Sequence, residues 1–516
     1  MLLLGIDIGT GGCKATLVDP EKGLVSSAFR EYQTHHPEPS WAEQSPEDWY
    51  EALKSSVREL LSKVGRRDVG AVCIDGQTHA AVLMDRQGRV LRPSIVWTDQ
   101  RSTKQVELIK RILGEERMIE ITYNPVICAF TLPQILWVKE NEPEVLKRAF
   151  KLQMAKDFIR FKLTGSLDWL TDTTDAMGTL MFDVRKFKWS EEICGQLEVE
   201  LEKLPEVVNS DCVVGQLSKG ASEELGIPEG TPIVAGCHDV SAEPLAAGTI
   251  DEGQCFIKLA TAGVISVTTK EPKPDLKGRT VTYCLPTTRD GVYGWFTKSA
   301  TLSCGSSYRW FRDSFCEREV KLAERLKRSP YELMDELASK APPGSLGLLF
   351  HPYLGGEGSP YWDPYLRGSF FGISLSHGRE HFCLAVLEGV AFSIKDSLSI
   401  FDDLRLPIKE VMIIGGGSKS RLWRQIISDV FGMRLLRPIS GDASFGSALI
   451  AGVGIGIFKS LREAVDSCVK TESSVEPDPK RHELYEEFFR VYKEVHDRLV
   501  DLYERMCELS SKSMRA

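Results

Sequence analysis

From its second residue the chain alternates short apolar runs with polar breaks, and the first run, Leu2 to Ile8, has the length of a strand rather than of a helix. It breaks at Gly9-Thr10-Gly11-Gly12 and resumes as Lys14 to Val18, which predicts a hairpin. A third strand is expected over Gly23 to Arg30. After a loop carrying His35, His36, Trp41 and Glu43, Ser45-Pro46-Glu47-Asp48 reads as the cap and first turn of a helix from Trp49 to Val64, because proline fits the first helical position. Val69 to Gly76 predicts another buried strand, ending in Asp75-Gly76-Gln77-Thr78-His79. Strands and amphipathic helices keep alternating to about Gly248, the pattern of an α/β domain.

In the middle of the chain Pro232 to Gly236 predicts a strand that ends at Cys237-His238-Asp239 before a helix over Val240 to Ala247. Ile408 to Ile414 runs into Gly415-Gly416-Gly417-Ser418, with a helix beginning near Ser420, and Gly441 to Ala451 gives a small-residue helix suited to close packing. Arg481 to Ser510 has the pattern of a closing helix. The opening hairpin also recurs: Ile6-Asp-Ile-Gly-Thr10-Gly-Gly12 has a counterpart in Ile257-Lys-Leu-Ala-Thr261-Ala-Gly263. One copy in each half suggests two related α/β domains, residues 1–247 and 248–516, around a central cleft.

Composition narrows the function. A chain of 516 residues with 42% hydrophobic residues has room for more than one domain and large cores. Its net charge of −9 provides no field to attract a polyanion, and there is no basic run, so nucleic acid is not expected as a partner. The N-terminus lacks a basic leader and meets Asp7 early, and the longest apolar stretch, near Ala448 to Phe458, is broken by glycines, so a cytoplasmic protein without membrane partners is expected. Thirteen scattered cysteines without a Cys-x-x-Cys pair argue for reduced thiols rather than disulfides or structural zinc.

Several residues could carry chemistry. Asp7 lies on a strand between Gly5 and Gly9, where glycines would clear space for a hydrated cation and phosphate; pairing with a basic neighbour such as Lys14 is the alternative. Thr10-Gly11-Gly12 can aim backbone N–H groups and a hydroxyl at an anion, although a hairpin turn needs no such role. Gly416 and Gly417, between a strand and a helix, suit a phosphate or ribose. Asp239 stands where a strand hands over to a helix, either as the helix cap or as a general base taking a proton from an alcohol. Trp41, Glu43, Gln77, His79, Trp97, Asp99 and Arg101 combine rings with polar groups, a set that suits a polyhydroxylated ligand. Neither a Walker A sequence nor Gly-x-Gly-x-x-Gly occurs.

Together Gly5-Ile-Asp-Ile-Gly-Thr-Gly-Gly12, Trp41-Ala-Glu-Gln44, Gly76-Gln-Thr-His79, Trp97-Thr-Asp-Gln-Arg101, Gly236-Cys-His-Asp239 and Pro352-Tyr-Leu-Gly-Gly-Glu357 resemble the motifs of the FGGY-type carbohydrate kinases, most closely the xylulokinase group. Gly368-Ser-Phe-Phe-Gly-Ile373 followed by His381 to Glu388 fits that family's C-terminal signature. The resemblance implies two ribonuclease-H-like domains of the actin, Hsp70 and sugar kinase superfamily. It implies ATP and Mg²⁺ as cofactors and a small sugar as substrate, with D-xylulose to D-xylulose 5-phosphate as the leading reaction. Asp239 is then the base and Asp7 the carboxylate that organises Mg²⁺ and the transferring phosphoryl group. Thr10, Gly11, Gly12, Lys14 and Thr261 fall at the phosphates, Gly416, Gly417 and Ser420 at the nucleotide, and Trp310 at the adenine. Gln77, Thr78, His79, Asp99, Arg101 and Asp239 fall at the sugar. A homodimer follows from the family's habit.

The chain departs from the pattern at Leu259-Ala-Thr-Ala-Gly263, where Leu-Gly-Thr-Ser-Gly is usual, at Gln134 for a lysine, at Gly358 for an arginine, and at Thr78 for a methionine in the substrate motif. Ribulose, L-xylulose, erythritol or glycerol therefore stand beside D-xylulose as substrates. From another class, an actin-like nucleotide or sugar sensor would have no need of Asp239 as a base.

Overall fold

The computed structural model describes residues 1–65 and 68–513. The chain divides into two compact units: Met1–Glu252 with Thr268–Thr297 and Ile439–Lys470, and Gly253–Val267 with Lys298–Pro438 and the residues from Thr471 onward.

In the first unit the opening run forms β1 (Leu2–Ile8), which turns back into β2 (Gly12–Asp19) and then β3 (Gly23–Glu31). On its other side β1 pairs in parallel with β4 (Val69–Gly76). Addition of β5 (Val213–Gln216) and β6 (Pro232–His238) gives the strand order β5-β6-β4-β1-β2-β3. Side chains alternate across such a sheet. Leu2, Leu4, Ile6 and Ile8 accordingly share one core with Trp49 and Leu53 of α1 (Pro46–Val64) and Phe158 and Ile159 of α2 (Ala155–Thr164). The short α3 (Thr173–Met177) follows. On the opposite face Leu3, Ala71, Cys73 and Val234 pack with Leu245 and Ala246 of α4 (Asp239–Ala247) and with small residues returning from far along the chain.

The second unit repeats the plan. Its β7 (Gln254–Leu259) is antiparallel to β8 (Gly263–Thr269) and parallel to β9 (Glu410–Ile414), as β1 is antiparallel to β2 and parallel to β4. Next come β10 (Leu435–Pro438) and β11 (Thr471–Val475). The turns differ in length: Gly9 N donates to Gly12 O at 3.1 Å in the first, whereas Ala260 N donates to Ala262 O at 3.2 Å in the second, which is one residue shorter. The repeated hairpin in the sequence is thus a repeated supersecondary unit. Around it lie α5 (Gly305–Phe315), α6 (Arg379–Asp403) and α7 (Arg421–Phe431).

The expected small-residue helix is α8 (Ala443–Gly454), part of the first unit. It lies so close to β1 that a Cβ on Gly5 would meet the Ser444 carbonyl oxygen at 1.8 Å, and one on Gly446 would meet the Ala242 carbonyl oxygen of α4 at 2.2 Å. Gly5 therefore makes room for a helix backbone, not for a ligand as its place beside Asp7 suggested. The closing helix, expected over 481–510, is α9 (Pro479–Ser513). Among the described residues no helix is long and apolar enough to cross a membrane.

One buried carboxyl gives the second unit a pH dependence. Glu388 of α6 accepts hydrogen bonds from Gly344 N at 2.7 Å, Ser345 Oγ at 2.7 Å and Tyr485 Oη at 2.8 Å, yet burial outweighs them and pushes it up from 4.5 to about 7. Because the folded state holds this proton more tightly than the unfolded one, the contribution is complete below about pH 4.5 and is lost as pH rises through about 7. The swing is on the order of 3 kcal/mol. Melting curves between pH 4.5 and 8 should show a shallower decline in Tm for Glu388→Gln than for the parent. An unchanged slope would remove Glu388 as its source. Glu357, raised likewise to about 7 by burial, keeps part of the slope in either chain.

Candidate active site

Parallel register carries acidic residues to one edge of the first sheet. Asp7 of β1 and Asp75 of β4 are direct neighbours, and Cys237 of β6 is the neighbour of Asp75 on its other side. Two residues later Asp239 opens α4. Asp75 is fully buried, and its Oδ2 accepts a hydrogen bond from Ser447 Oγ of α8 at 2.5 Å. Burial, and after it the charge of Asp7, hold its carboxyl well above the usual carboxylate range. The Tyr32 phenol is also pushed up, by burial first and then by the negative groups around it, Asp7, Asp239 and Asp75 among them. Its hydroxyl donates to the Gly9 carbonyl. Sequence reasoning gave no role to Asp75 or Tyr32. An aspartate inside the apolar run from Val69 was the only available signal for the first, and there was none for the second.

Three N–H and O–H groups converge on Oδ1 of Asp239: Thr78 Oγ1 at 2.7 Å, Thr78 N at 3.2 Å and Val240 N at 2.8 Å. The helix cap is His238, whose Nδ1 accepts from Ser241 N at 3.0 Å, so Asp239 is the first helical residue and not the cap. A carboxylate there lies in the favourable field of the helix N-terminus. Lys14 sits opposite Asp7 in register, but its ammonium group is taken by Asp442.

The first hairpin turn is braced from behind. Gln44 Nε2 donates to the Thr10 carbonyl at 2.8 Å, while Gln44 Oε1 accepts from Gln77 Nε2 at 2.7 Å and Trp49 Nε1 at 2.9 Å. Trp97 Nε1 donates to Thr10 Oγ1 at 2.7 Å. Gly11 is exposed, and an added Cβ would meet nothing within 4 Å, so this turn offers its backbone to the outside. Gly12 begins β2. Gln77 is therefore an interior brace that couples the segment after β4, which carries Thr78, to the hairpin turn.

His79 has φ 75°, with Nδ1 2.5 Å from the Gly178 carbonyl and its ring 4.2 Å from that of Phe130. Asp99 and Arg101 are buried, and Arg101 donates to the Asp99 carboxylate from Nε, at 3.0 Å and 2.9 Å, and from Nη2, at 2.8 Å, with Glu43 as a second partner of Arg101 at 2.7 Å. The guanidinium lies 3.9 Å from the Trp41 ring and 4.9 Å from that of Trp137, so these charges fix the two indoles. The backbone N–H of Ala42 donates to Asp99 at 2.6 Å, and the cluster continues from Glu43 to Arg92 at 2.6 Å and on to Glu142 at 2.8 Å.

In the second unit the Thr261 carbonyl accepts from Cys304 N, Ser306 N and Ser306 Oγ, and its hydroxyl is exposed near Arg309. A Cβ on Gly305 would lie 2.5 Å from the Ala260 carbonyl, which fixes the start of α5 against this turn. Gly416 and Gly417 form a tight turn after β9; a Cβ on Gly416 would meet nothing within 4 Å, whereas Gly417 lies against Trp423. Ser420 caps α7, accepting from Trp423 N at 3.0 Å. Trp310 is half-buried and stacks on Phe350, 6.1 Å between centroids.

Comparison with known proteins places this arrangement. The chain matches the model of the N-terminal domain of the FGGY family of carbohydrate kinases over residues 2–245, and that of the C-terminal domain over residues 255–455. It is 34% identical to the xylulose kinase of Lactococcus lactis over 99% of both chains. It is 30% identical to the gluconokinase of Bacillus subtilis over 87% of both. Among solved structures, the xylulose kinase of Rhodospirillum rubrum superposes with a TM-score of 0.86 at 27% identity, over 98% of this chain and 100% of that one.

Proposed function

As a member of the FGGY family of carbohydrate kinases, which transfer a phosphoryl group from ATP to a sugar, this chain, we propose, phosphorylates D-xylulose to D-xylulose 5-phosphate. The observation that carries the reading is the constellation of Asp7, Asp239 and Thr78. Asp239 is positioned at a helix N-terminus, held at Oδ1 by Thr78 and Val240, to take the proton from the attacking sugar hydroxyl. Asp7, with the Thr10-Gly11-Gly12 turn, serves the transferring phosphoryl group. In the second unit the exposed turns at Thr261 and Gly416 serve the nucleotide.

Mg²⁺ fits Asp7. Among the described residues no group of three or more His, Cys, Asp or Glu side chains could hold a metal ion by itself. A magnesium ion is commonly held by one or two carboxylates plus substrate phosphates and water, so a single half-buried aspartate beside a phosphate-binding turn is an adequate donor set. When bound, the ion would neutralise charge on the phosphates.

Substrate choice is tested by a coupled ATP-consumption assay with Mg²⁺ over D-xylulose, L-xylulose, D-ribulose, L-ribulose, gluconate, glycerol and erythritol, with a no-sugar blank. The expected result is stimulation by D-xylulose at least tenfold above every other compound. A stronger response to another compound would replace the substrate and keep the chemistry, and Thr78, in place of the usual methionine, would be the first position to exchange. Absence of stimulation by any of them, with ATP still bound, would favour a nucleotide-dependent sensor. A homodimer is proposed through α9, which exposes Leu484, Val491 and Leu502; sedimentation showing a monomer at micromolar concentration would remove it.

A further inference from the structure

Behind the strand that ends at His238, one residue before Asp239, lies a cluster of five ionisable side chains with almost no access to water. Lys156 Nζ of α2 is 2.7 Å from Asp157 Oδ1, 3.3 Å from Asp172 Oδ1 and 3.2 Å from Asp175 Oδ2, and Arg160 Nη1 is 3.2 Å from Asp157 Oδ1. All five are 2% exposed or less. Removing such groups from water is costly, and a well-packed apolar cluster of similar volume would often be at least as stable, so the arrangement calls for a reason beyond stability.

The geometry supplies one. Asp172 is the hub: its Oδ2 accepts from Thr174 N at 2.9 Å, Thr174 Oγ1 at 2.8 Å and Ser210 Oγ at 2.8 Å, and its Oδ1 accepts from Asp175 N at 3.2 Å. Thr174 Oγ1, with its proton directed to Asp172, accepts from the backbone N–H of His238 at 2.9 Å. That N–H belongs to the last residue of β6, immediately before Asp239. The register of β6 against β4 shifts between Val234 and Cys237, so ladder pairing alone does not carry straight through to this point. Downstream, His238 caps α4, and Ser241 Oγ donates to the Cys284 carbonyl at 2.8 Å.

We infer that Thr174, oriented by Asp172 and Lys156, is a positioning residue for the general base: its hydroxyl sets the backbone at His238 and so the direction in which the Asp239 carboxylate points. The inference rests on the kinase reading. A hydroxyl is needed because one atom must donate to a carboxylate and accept from an amide at once, which the isosteric valine cannot do and serine can. Loose placement of a reacting group by about 1 Å can cost on the order of 10²-fold in rate.

The test compares Thr174→Val, Thr174→Ser and Asp239→Asn in the full chain, with kcat, KM for the sugar, and sugar Kd by calorimetry. Thr174→Val should lower kcat by about 10-fold to 100-fold while sugar Kd changes less than about threefold, and Thr174→Ser should recover most of kcat. A kcat for Thr174→Val within twofold of the parent, in a background where Asp239→Asn is inactive, would overturn the positioning role and leave the base assignment standing. Parallel losses in kcat, Kd and Tm without rescue by serine would reduce Thr174 to a structural residue. Turnover retained by Asp239→Asn would overturn both readings through the base itself. If Thr174→Val is not recovered folded, Thr174→Ala is read in the same way; failure of both to fold would assign the hydroxyl to folding and overturn the inference.

Discussion

Asp239→Asn should stop sugar phosphorylation, with kcat lowered by on the order of 10² to 10⁴, while sugar and nucleotide still bind. The substitution is nearly isosteric. An asparagine oxygen can still accept from Val240 N at 2.8 Å and from Thr78 Oγ1 at 2.7 Å, so the start of α4 keeps its geometry and only the capacity to take a proton disappears. A loss confined to kcat, with binding by calorimetry close to that of the parent, therefore isolates the proton transfer. Retained turnover in a steady-state assay would remove Asp239 from that role. Thr78→Val gives a smaller companion effect, because it removes one of the three donors to Oδ1 but leaves the acid–base group in place.

How much of this could be read beforehand depended on the range of the physics involved. Strands and helices follow local periodicity, and the repeat of the Thr10 and Thr261 turns announces the duplicated hairpin in the sequence itself. The likeness to known sugar kinases, over almost the whole chain, agrees with the two-domain α/β architecture expected from it. Contacts that join distant stretches were out of reach. Thr78 and Asp239 are separated by 161 residues, and the Thr16 and Ser444 hydroxyls, 2.7 Å apart, by 428. Gly5 looked like space for a ligand because the sequence around Asp7 does not show that α8 comes back to occupy it. Asp99 and Arg101 stand out in the sequence as polar residues near a strand end, while only the fold shows that they and Glu43 join an ionic cluster under Trp41 that continues to Arg92 and Glu142. The cap of α4 illustrates the same limit at short range: aspartate is the better capping residue by preference, yet the cap is His238, whose own N–H is held by Thr174 Oγ1 from 64 residues away.

Asp7 and Asp75 are adjacent in register, and their asparagine variants should separate in sign. Asp7→Asn is expected to lower kcat by about 10² to 10³, because it removes the charge proposed to organise the phosphoryl group and its cation, a loss comparable to that of one preorganised electrostatic contact at a reacting centre. Raising Mg²⁺ should recover little of it. Asp75→Asn acts on the fold instead. Its carboxyl is held above its ordinary value by burial and by Asp7, so its contribution to stability is complete below about pH 4, the unfolded value, and is lost as pH rises and the charge is forced on a site that opposes it. Asparagine keeps an acceptor for Ser447 Oγ and carries no charge, so Asp75→Asn should melt at a higher temperature than the parent at pH 8, with a difference that shrinks toward pH 4. A lower Tm at pH 8 would show that the ionised carboxylate is stabilised by a partner that outweighs its burial. Activity with sugar and ATP at saturating Mg²⁺ then completes the contrast, since Asp7→Asn is expected to fold and fail, and Asp75→Asn to fold more firmly and keep turning over.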